Sequence, residues 1–505
     1  MTVLSVGRQM AALASADPNR TALTFGDEAL TRIEFEKRTS RLARYYASLG
    51  VKNGDVVVVA LPNGAAFLKA VFAVLKIGAT LLPVSPVLPK LERDAILDLA
   101  QPSLVVGLNN EGSEPFIFLP RDFAIPDDIS GESLADAVSR PTRGLTSGGS
   151  TGRPKIIFTT DEGVVDTDGP PGMKIEPGSS VIIPGPLYHG GPFAYAYRSL
   201  LFGGHVVVME RFDPEECLKL IEKHRIDTVP LVPTMMNRIW RLDAHMRSRF
   251  DLSSVRMVVH YGASCPVWLK AKWIEWLGPE RVDEFYGTSE RIGFTWITGP
   301  EWLKHPGSVC RPVDCRIRIQ DEDGRELPPG KVGEIYMQHK AGVGTTYRYV
   351  GADPLVQRDG WETAGDMGSL DDEGYLYIAD RRLDMIVSGG ANVFPAEVEA
   401  AVEQYPAVRA CAVIGLPDYD LGHRVHAIVE ASEPIDERLL REWLASRLVR
   451  YKIPRTFEYV SESLRDEVGK LRRSRLRLER MPALVHGSRC DPSSCAQGQS
   501  TRVEG

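Results

Sequence analysis

The apolar positions along the chain change period again and again, and each change predicts an element. Asp55-Val-Val-Val-Val-Ala-Leu61 is a short β-branched run closed by Pro62-Asn63-Gly64, which predicts a buried strand. From Ala65 to Lys76 the spacing turns helical, and Gly78 stops it. Leu81–Val84 reads as strand, Leu91–Leu99 as helix and Ser103–Gly107 as strand. The same rhythm returns over Ser180–Ile183, Pro214–Lys223, Thr228–Val232 and Val255–His260. Such alternation predicts α/β layering with largely parallel sheets. No internal repeat interrupts it. Farther along, Arg316–Gln320, Gly333–Gln338 and Gly374–Ile378 are short strands parted by Gly, Asp and Pro turns, which predicts a β-rich subdomain. After Asp380-Arg381-Arg382 a new pattern begins: a helix over Pro395–Gln404, strands over Val408–Ile414 and Val425–Glu430, and a helix over Asp436–Val449. It predicts a small α+β domain of about a hundred residues. From Met481 the chain changes again, and His486–Gly505 is rich in Ser, Gly and Gln. The expected organisation is a large domain over 1–382, a small mobile domain over 383–482 and a disordered, dispensable tail over 483–505.

Composition narrows the classes. With 505 residues, 43% apolar and 25% charged, the chain fits a soluble globular protein. A formal net charge of -7 argues against nucleic acid or an anionic membrane as a partner bound by bulk charge. The most apolar long stretch, Ala65–Val84, is broken by Lys69, Lys76 and Gly78, so it reads as a buried helix running into a strand and not as a membrane insertion. Met1–Arg20 holds no apolar block of signal-peptide length. The seven cysteines, Cys217, Cys265, Cys310, Cys315, Cys411, Cys490 and Cys495, are scattered and form no CxxC pair, unlike a disulfide framework or a zinc site. A cytoplasmic protein is the expectation.

Chemistry concentrates first in Leu145-Thr-Ser-Gly-Gly-Ser-Thr-Gly-Arg-Pro-Lys155. Gly148, Gly149 and Gly152 let successive backbone N–H groups converge on one anion. Thr146, Ser147, Ser150 and Thr151 add hydroxyls, and Lys155 adds a positive charge. The segment suits the β- and γ-phosphates of a nucleotide, although GxxxxGK[ST] is absent. A flexible surface loop would show the same composition.

The loop resembles the signature of the adenylate-forming superfamily of acyl-CoA synthetases, firefly luciferase and nonribosomal adenylation domains. Further segments follow in that family's order. Pro186-Leu-Tyr-His189 resembles the motif whose histidine borders the acyl pocket, and Gly262-Ala-Ser-Cys-Pro266 resembles the loop that packs on adenine. Phe285-Tyr-Gly-Thr-Ser-Glu290 resembles Tyr-Gly-x-Thr-Glu, and Gly360-Trp-Glu-Thr-Ala-Gly-Asp366 resembles the ribose motif. Asp380-Arg381 through Ser388-Gly-Gly-Ala-Asn-Val-Phe-Pro-Ala-Glu397 resembles the hinge region, and Val468-Gly-Lys470 the C-terminal lysine motif. The resemblance spans about residues 20 to 480 and is closest to ligases of bulky cyclic or aryl acids.

It implies an enzyme that joins a carboxylic acid to ATP, releases pyrophosphate and passes the acyl group to CoA. By it, Thr146 to Gly152 with Lys155 hold the phosphates, Glu290 binds Mg2+, and Thr288 touches the α-phosphate. Gly262, Ala263, Tyr286 and Gly287 meet the adenine, while Asp366 accepts from the ribose hydroxyls and Arg381 reaches the ribose or phosphates. Lys470 bridges the reacting carboxylate and α-phosphate, where its charge counts most in the transition state. His189 and Phe193 border the acyl tunnel. Ser388, Gly389 and Gly390 line the pantetheine channel, and Leu383 is the hinge.

Several positions depart from the pattern. Ala364 stands where threonine is common, and Arg291 and Cys310 stand where glycine is frequent. The Arg291 guanidinium would meet an acidic substrate or narrow the pocket. Leu383 replaces a polar hinge residue. Two other readings compete. One is an adenylation enzyme with another acceptor, a carrier protein or an arylamine in a nitrite-activating diazotase. The other is a nucleotide-binding regulatory protein without chemistry, which the intact Lys470, Glu290, Asp366 and Arg381 oppose.

Overall fold

The computed structural model describes residues 2–110, 115–148, 154–170, 172–354, 356, 359–381, 384–388, 391–466 and 471–481, with the side chains of 147, 148 and 381 left aside. The large domain is built on an eight-stranded sheet. Its order is Phe294–Ile297, Val282–Gly287, Met257–His260, Thr228–Leu231, Ser180–Ile183, His205–Val208, Thr21–Phe25 and Glu28–Thr31. The inner six strands run parallel, and each outer strand pairs antiparallel with its neighbour. A second sheet is wholly parallel, in the order Thr80–Pro83, Val56–Val59, Leu104–Val106 and Ile117–Leu119.

The helix Ala65–Lys76 lies between these two sheets. Ten of its twelve residues are buried, which is why its sequence is apolar around most of its circumference. Lys76 is buried too, and its Nζ lies 2.6 Å from Glu36 Oε2 on the helix Arg32–Ser48. Among the described residues no helix is long and apolar enough to cross a membrane.

Two antiparallel sheets follow. Gly144–Gly148, Pro154–Thr159 and Tyr347–Val350 form one; Cys315–Gln320, Gly333–His339, Asp366–Leu370 and Leu376–Arg381 form the other. The last strand begins two residues later than the apolar pattern predicts. Asp371 explains this: its backbone N–H donates to Tyr375 O and its own C=O accepts from Gly374 N, closing a turn over Asp371–Gly374.

The small domain pairs Ala391–Val393, Ile386–Ser388, Gly422–Ala431 and Val408–Asp418, with Thr456–Val460 parallel to Gly422–Ala431. Helices Pro395–Val402 and Glu437–Ala445 cover one apolar cluster, which contains Val398, Val402, Cys411, Val413, Leu440 and Leu444. Asp436 ends up as the N-cap of the second helix, accepting from the Arg438 and Leu439 amides. The tail with Cys490 and Cys495, the hinge position Leu383, and Lys470 lie outside the described residues.

Candidate active site

Parallel strands of an α/β sheet present ligands at their carboxyl ends, and three of the candidate segments sit there. Gly262 and Ala263 are exposed just past Met257–His260, with Gly262 at φ 80°. Tyr286 and Gly287 end the adjacent strand, whose Val282 and Glu284 face Val258 and His260. His189 lies beyond Ser180–Ile183, as the N-cap of the helix Gly190–Leu201.

The phosphate segment does not lead into a helix. It joins two antiparallel strands, with Thr146 opposite Ile156 and Gly148 opposite Pro154. Gly149, Ser150, Thr151 and Gly152 lie outside the described residues. Just past the loop, Lys155 points to Glu290. Its Nζ lies 3.3 Å from Glu290 Oε1 and 2.8 Å from the Tyr349 hydroxyl, above whose ring it sits at 4.0 Å. The Tyr349 hydroxyl donates to the same Glu290 oxygen at 2.6 Å, and the Thr346 hydroxyl donates to the Glu290 carbonyl at 3.0 Å. Burial and the Glu290 charge push the Tyr349 phenol upward, so it stays protonated as a donor. Behind it the Tyr347 hydroxyl donates to Glu362 at 2.9 Å, and burial raises the Glu362 carboxyl. Tyr349, Tyr347 and Glu362 were not among the sequence candidates. Their signal was the Tyr-x-Tyr alternation of 347 and 349, which puts both side chains on one face of a strand.

A second corner joins Tyr286 to Asp366. The phenol donates to Asp366 Oδ2 at 2.6 Å, and Asp366 opens a strand where it faces Arg381 across the ladder. Tyr286 therefore engages the Asp366 carboxylate with its hydroxyl and leaves its ring free of that contact.

Two hydroxyls precede Glu290 in Tyr286-Gly-Thr-Ser-Glu290, and they differ in exposure. Thr288 Oγ1 is buried without a hydrogen-bond partner, whereas Ser289 is exposed and directly precedes Glu290. Ser388 is 7% exposed inside the small-domain sheet, paired with Ala391. Gly389 and Gly390 lie outside the described residues. Both departures at glycine-rich positions are visible in the backbone. Arg291 has φ 57° and Cys310 has φ 90°, a left-handed region that glycine enters without cost and other residues do not.

An aromatic stack lies against the start of the helix Gly190–Leu201. Tyr195 stacks on Tyr261 (ring centroids 6.1 Å apart), Tyr261 on Phe285 (4.7 Å) and Phe285 on Trp296 (5.8 Å). Gly191 makes this possible, since a Cβ there would lie 2.1 Å from the Tyr261 ring. Trp296 Nε1 donates to Asp283, which also pairs with Lys174 at 2.7 Å. Phe193 is buried, stacked on Tyr197, and shapes this wall from behind.

Residues 10–348 match the AMP-binding enzyme family and residues 397–470 the AMP-binding enzyme C-terminal domain. A feruloyl-CoA synthase of Amycolatopsis sp. is 32% identical over 498 residues, covering 92% of this chain and 96% of its own length. The o-succinylbenzoate CoA synthetase of Bacillus subtilis, solved with its acyl-adenylate intermediate, superposes with a TM-score of 0.79 at 25% identity, over 94% of this chain and 99% of that one. The same synthetase has been solved with ATP and magnesium, and there superposes with a TM-score of 0.78 at 24% identity, over 94% of this chain and 100% of that one. The chain belongs to the AMP-binding enzyme family.

Proposed function

We propose that the protein is an AMP-forming acid–CoA ligase acting on a cyclic or aryl carboxylic acid. The observation that carries this is the pairing of two corners at and just past the carboxyl end of the strand Val282–Gly287: Lys155 and Tyr349 with Glu290, and Asp366 with Tyr286. The relatives named above are CoA ligases, and they align with nearly the whole chain.

Each residue then has a task. Lys155 and the glycine-rich hairpin hold the outer phosphates, which become the leaving pyrophosphate. The Glu290 carboxylate beside Lys155 fits a magnesium ion held through one protein carboxylate and substrate phosphates. When bound, that ion draws charge from the phosphates and lowers their repulsion toward the incoming carboxylate. Thr288, whose Oγ1 has no protein partner, and the exposed Ser289 beside it offer hydroxyls to the α-phosphate. Asp366, oriented by Tyr286, accepts from the ribose hydroxyls, and Arg381 joins it. Lys470 bridges the acid and the α-phosphate as the P–O bond forms. His189 borders the acid, and the aromatic wall from Tyr195 to Trp296 accepts its ring. Rotation about Leu383 then admits CoA, whose thiol attacks the acyl carbon and expels AMP. The cytoplasm, where ATP and CoA are present, is the proposed compartment.

The test is pyrophosphate release screened over aryl, aminoaryl, steroid and fatty acids, with nitrite included, followed by product mass with and without CoA. A CoA thioester of a cyclic or aryl acid is the expected product. Acyl-AMP that accumulates unchanged in the presence of CoA would overturn the acceptor, and pyrophosphate release with nitrite alone would overturn the acid.

A further inference from the structure

Three arginines converge beside the acyl wall, with one carboxylate among them. Arg143 directly precedes the strand that leads into the phosphate loop, Arg198 lies on the His189 helix, and Arg291 comes directly after Glu290. Arg291 pairs with Asp161, and this pair is open to solvent, with side-chain exposures of 40% and 50%. Arg143 lies deeper. Its guanidinium rests 4.6 Å above the Phe193 ring, and its Nη1 is buried without a hydrogen-bond partner. The Tyr195 hydroxyl, close enough to feel the Arg198 charge, is likewise buried without a partner. Among the described residues, Asp161 is the carboxylate felt by all three guanidinium groups, and the cluster runs from an open mouth to the orphaned Nη1 of Arg143.

An arrangement of this kind is costly in the empty protein. A buried polar group left without a hydrogen bond costs about 1–3 kcal/mol, and more when charged. Burial, and then the Arg291 charge, push the Arg143 guanidinium down to about 10, a direction that records poor solvation and like-charge crowding. Buried polar groups in natural proteins are nearly always paired. Orphans gathered at the substrate side of an active site mark what the ligand supplies.

We propose that the acid substrate carries a second negative group, a carboxylate, and that Arg143 receives it with help from Arg198 and Arg291. The proposal rests on the ligase reading above and deepens it. The reacting carboxylate lies by Glu290 and Ser289, and the second lies past Arg291, toward Arg143. Planar guanidinium groups suit this task because they bind carboxylates through two parallel hydrogen bonds. Arg291, where a small residue is frequent, becomes the gatepost of this subsite, held aside by Asp161 until the diacid enters.

The test uses matched acids that differ by one carboxylate: cinnamate against 2-carboxycinnamate, and 4-phenyl-4-oxobutanoate against 2-succinylbenzoate. Wild-type protein should favour each diacid in kcat/KM for pyrophosphate release by roughly 10- to 100-fold, the range of a charge-assisted hydrogen bond. Arg143→Met should lower that ratio at least tenfold, through KM for the diacid, and Arg143→Lys should restore part of it. Without diacid, Arg143→Met should melt no lower than wild type, because removing the orphaned Nη1 and the crowding with Arg291 offsets the lost contact with Phe193. Equal use of mono- and diacids by the wild type would overturn the proposal. So would a rise in KM for ATP in place of the diacid effect, which would assign the cluster to nucleotide phosphate. Thermal shifts with each acid give a reading independent of turnover. If no acid releases pyrophosphate, the ligase reading fails, yet diacids should still raise the melting temperature more than monoacids, and Arg143→Met should erase the difference. Should Arg143→Met not fold, Arg291→Gln at the exposed mouth makes the same comparison.

Discussion

Arg473 should hold the small domain together, and its loss should open that domain selectively. Its guanidinium makes a two-pronged contact with Glu399, Nε to Oε1 at 3.0 Å and Nη2 to Oε2 at 2.7 Å. Nη1 donates to Asp384 Oδ2 at 2.9 Å and lies 3.7 Å from Asp380 Oδ1. Glu399 is 6% exposed at its side chain, and its one other recorded donor is the Val413 amide at 2.8 Å. The neighbouring carboxylates raise the Arg473 guanidinium against the opposing effect of burial, which shows how strongly the charged form is held. Removing one partner of such a buried pair costs about 3–5 kcal/mol, because the other charge stays behind unpaired. The more open Asp384 adds at most about 1 kcal/mol. Arg473→Met should therefore lower amide protection in the strands Val408–Asp418 and Gly422–Ala431 by about two to four powers of ten. The large-domain sheet should be unaffected. Hydrogen exchange read by mass spectrometry measures both at once. Adding Glu399→Gln should return part of the loss, since it removes the stranded charge. A loss under tenfold, or an equal loss in the large domain, would refute the reasoning.

Lys470→Ala should slow acyl-AMP formation by about a hundred- to a thousandfold, the effect of one stabilising group at the reacting oxygens, with ATP affinity largely kept; pyrophosphate exchange decides it, and a near wild-type rate would remove Lys470 from the chemistry. Glu290→Gln should raise the magnesium concentration needed for half-maximal pyrophosphate release, and also loosen Lys155 and Tyr349. Gly191→Val should destabilise the protein by about 1–3 kcal/mol in urea titration, because its side chain must displace the Tyr261 ring. The Arg480 guanidinium holds the Glu458 carboxyl below its ordinary value through bonds of 2.6 and 2.7 Å. Its contribution to stability should be complete above about pH 4.3 and fade as pH falls through the lowered value, so Glu458→Gln should flatten the acid limb of the stability curve.

The elements legible from the pattern were those whose burial is one-sided or complete. The helix Ala65–Lys76, the strand Ser180–Ile183 and the helix Pro214–Lys223 appear at their expected bounds. The helix Gly190–Leu201 was not read, since Gly-Gly-Pro is a poor helix start. It forms because His189 is extended and Phe193, Tyr195 and Ala196 are buried behind it. The helix Arg32–Ser48 is polar enough to hide its buried face, although Thr31 and Glu34 form a capping box readable in the sequence. In the site, motifs located Lys155, Glu290, Tyr286 and Asp366 but not what lies between them. Tyr349 meets Glu290 only because a strand 190 residues beyond the phosphate loop pairs back onto it, with Tyr349 opposite Ile157. No local pattern encodes that pairing. Thr288 and Ser289 were indistinguishable as hydroxyls, and only the direction of each side chain separates them.

Charge is distributed differently in the two domains, and the difference bears on function. In the small domain, two guanidinium groups are matched to buried carboxylates, Arg473 to Glu399 and Arg465 to Glu403 at 2.9 Å, although the Nε atoms of Arg424 and Arg477 have no partner. Glu403 also receives the Cys411 amide, so each carboxylate ties a helix to the adjoining strand. Matched pairs of this kind make a stiff body, suited to moving as a unit about a hinge. Beside the acyl wall the balance is reversed, with Arg143 Nη1 and the Tyr195 hydroxyl unsatisfied. If these were accidents of packing, substitution there would raise stability at no cost to selectivity. If they belong to the substrate, the same substitution would raise stability and erase the preference for a second carboxylate. Selectivity measured on the one variant Arg143→Met therefore separates a packing fault from a binding site, with stability showing that the variant is folded.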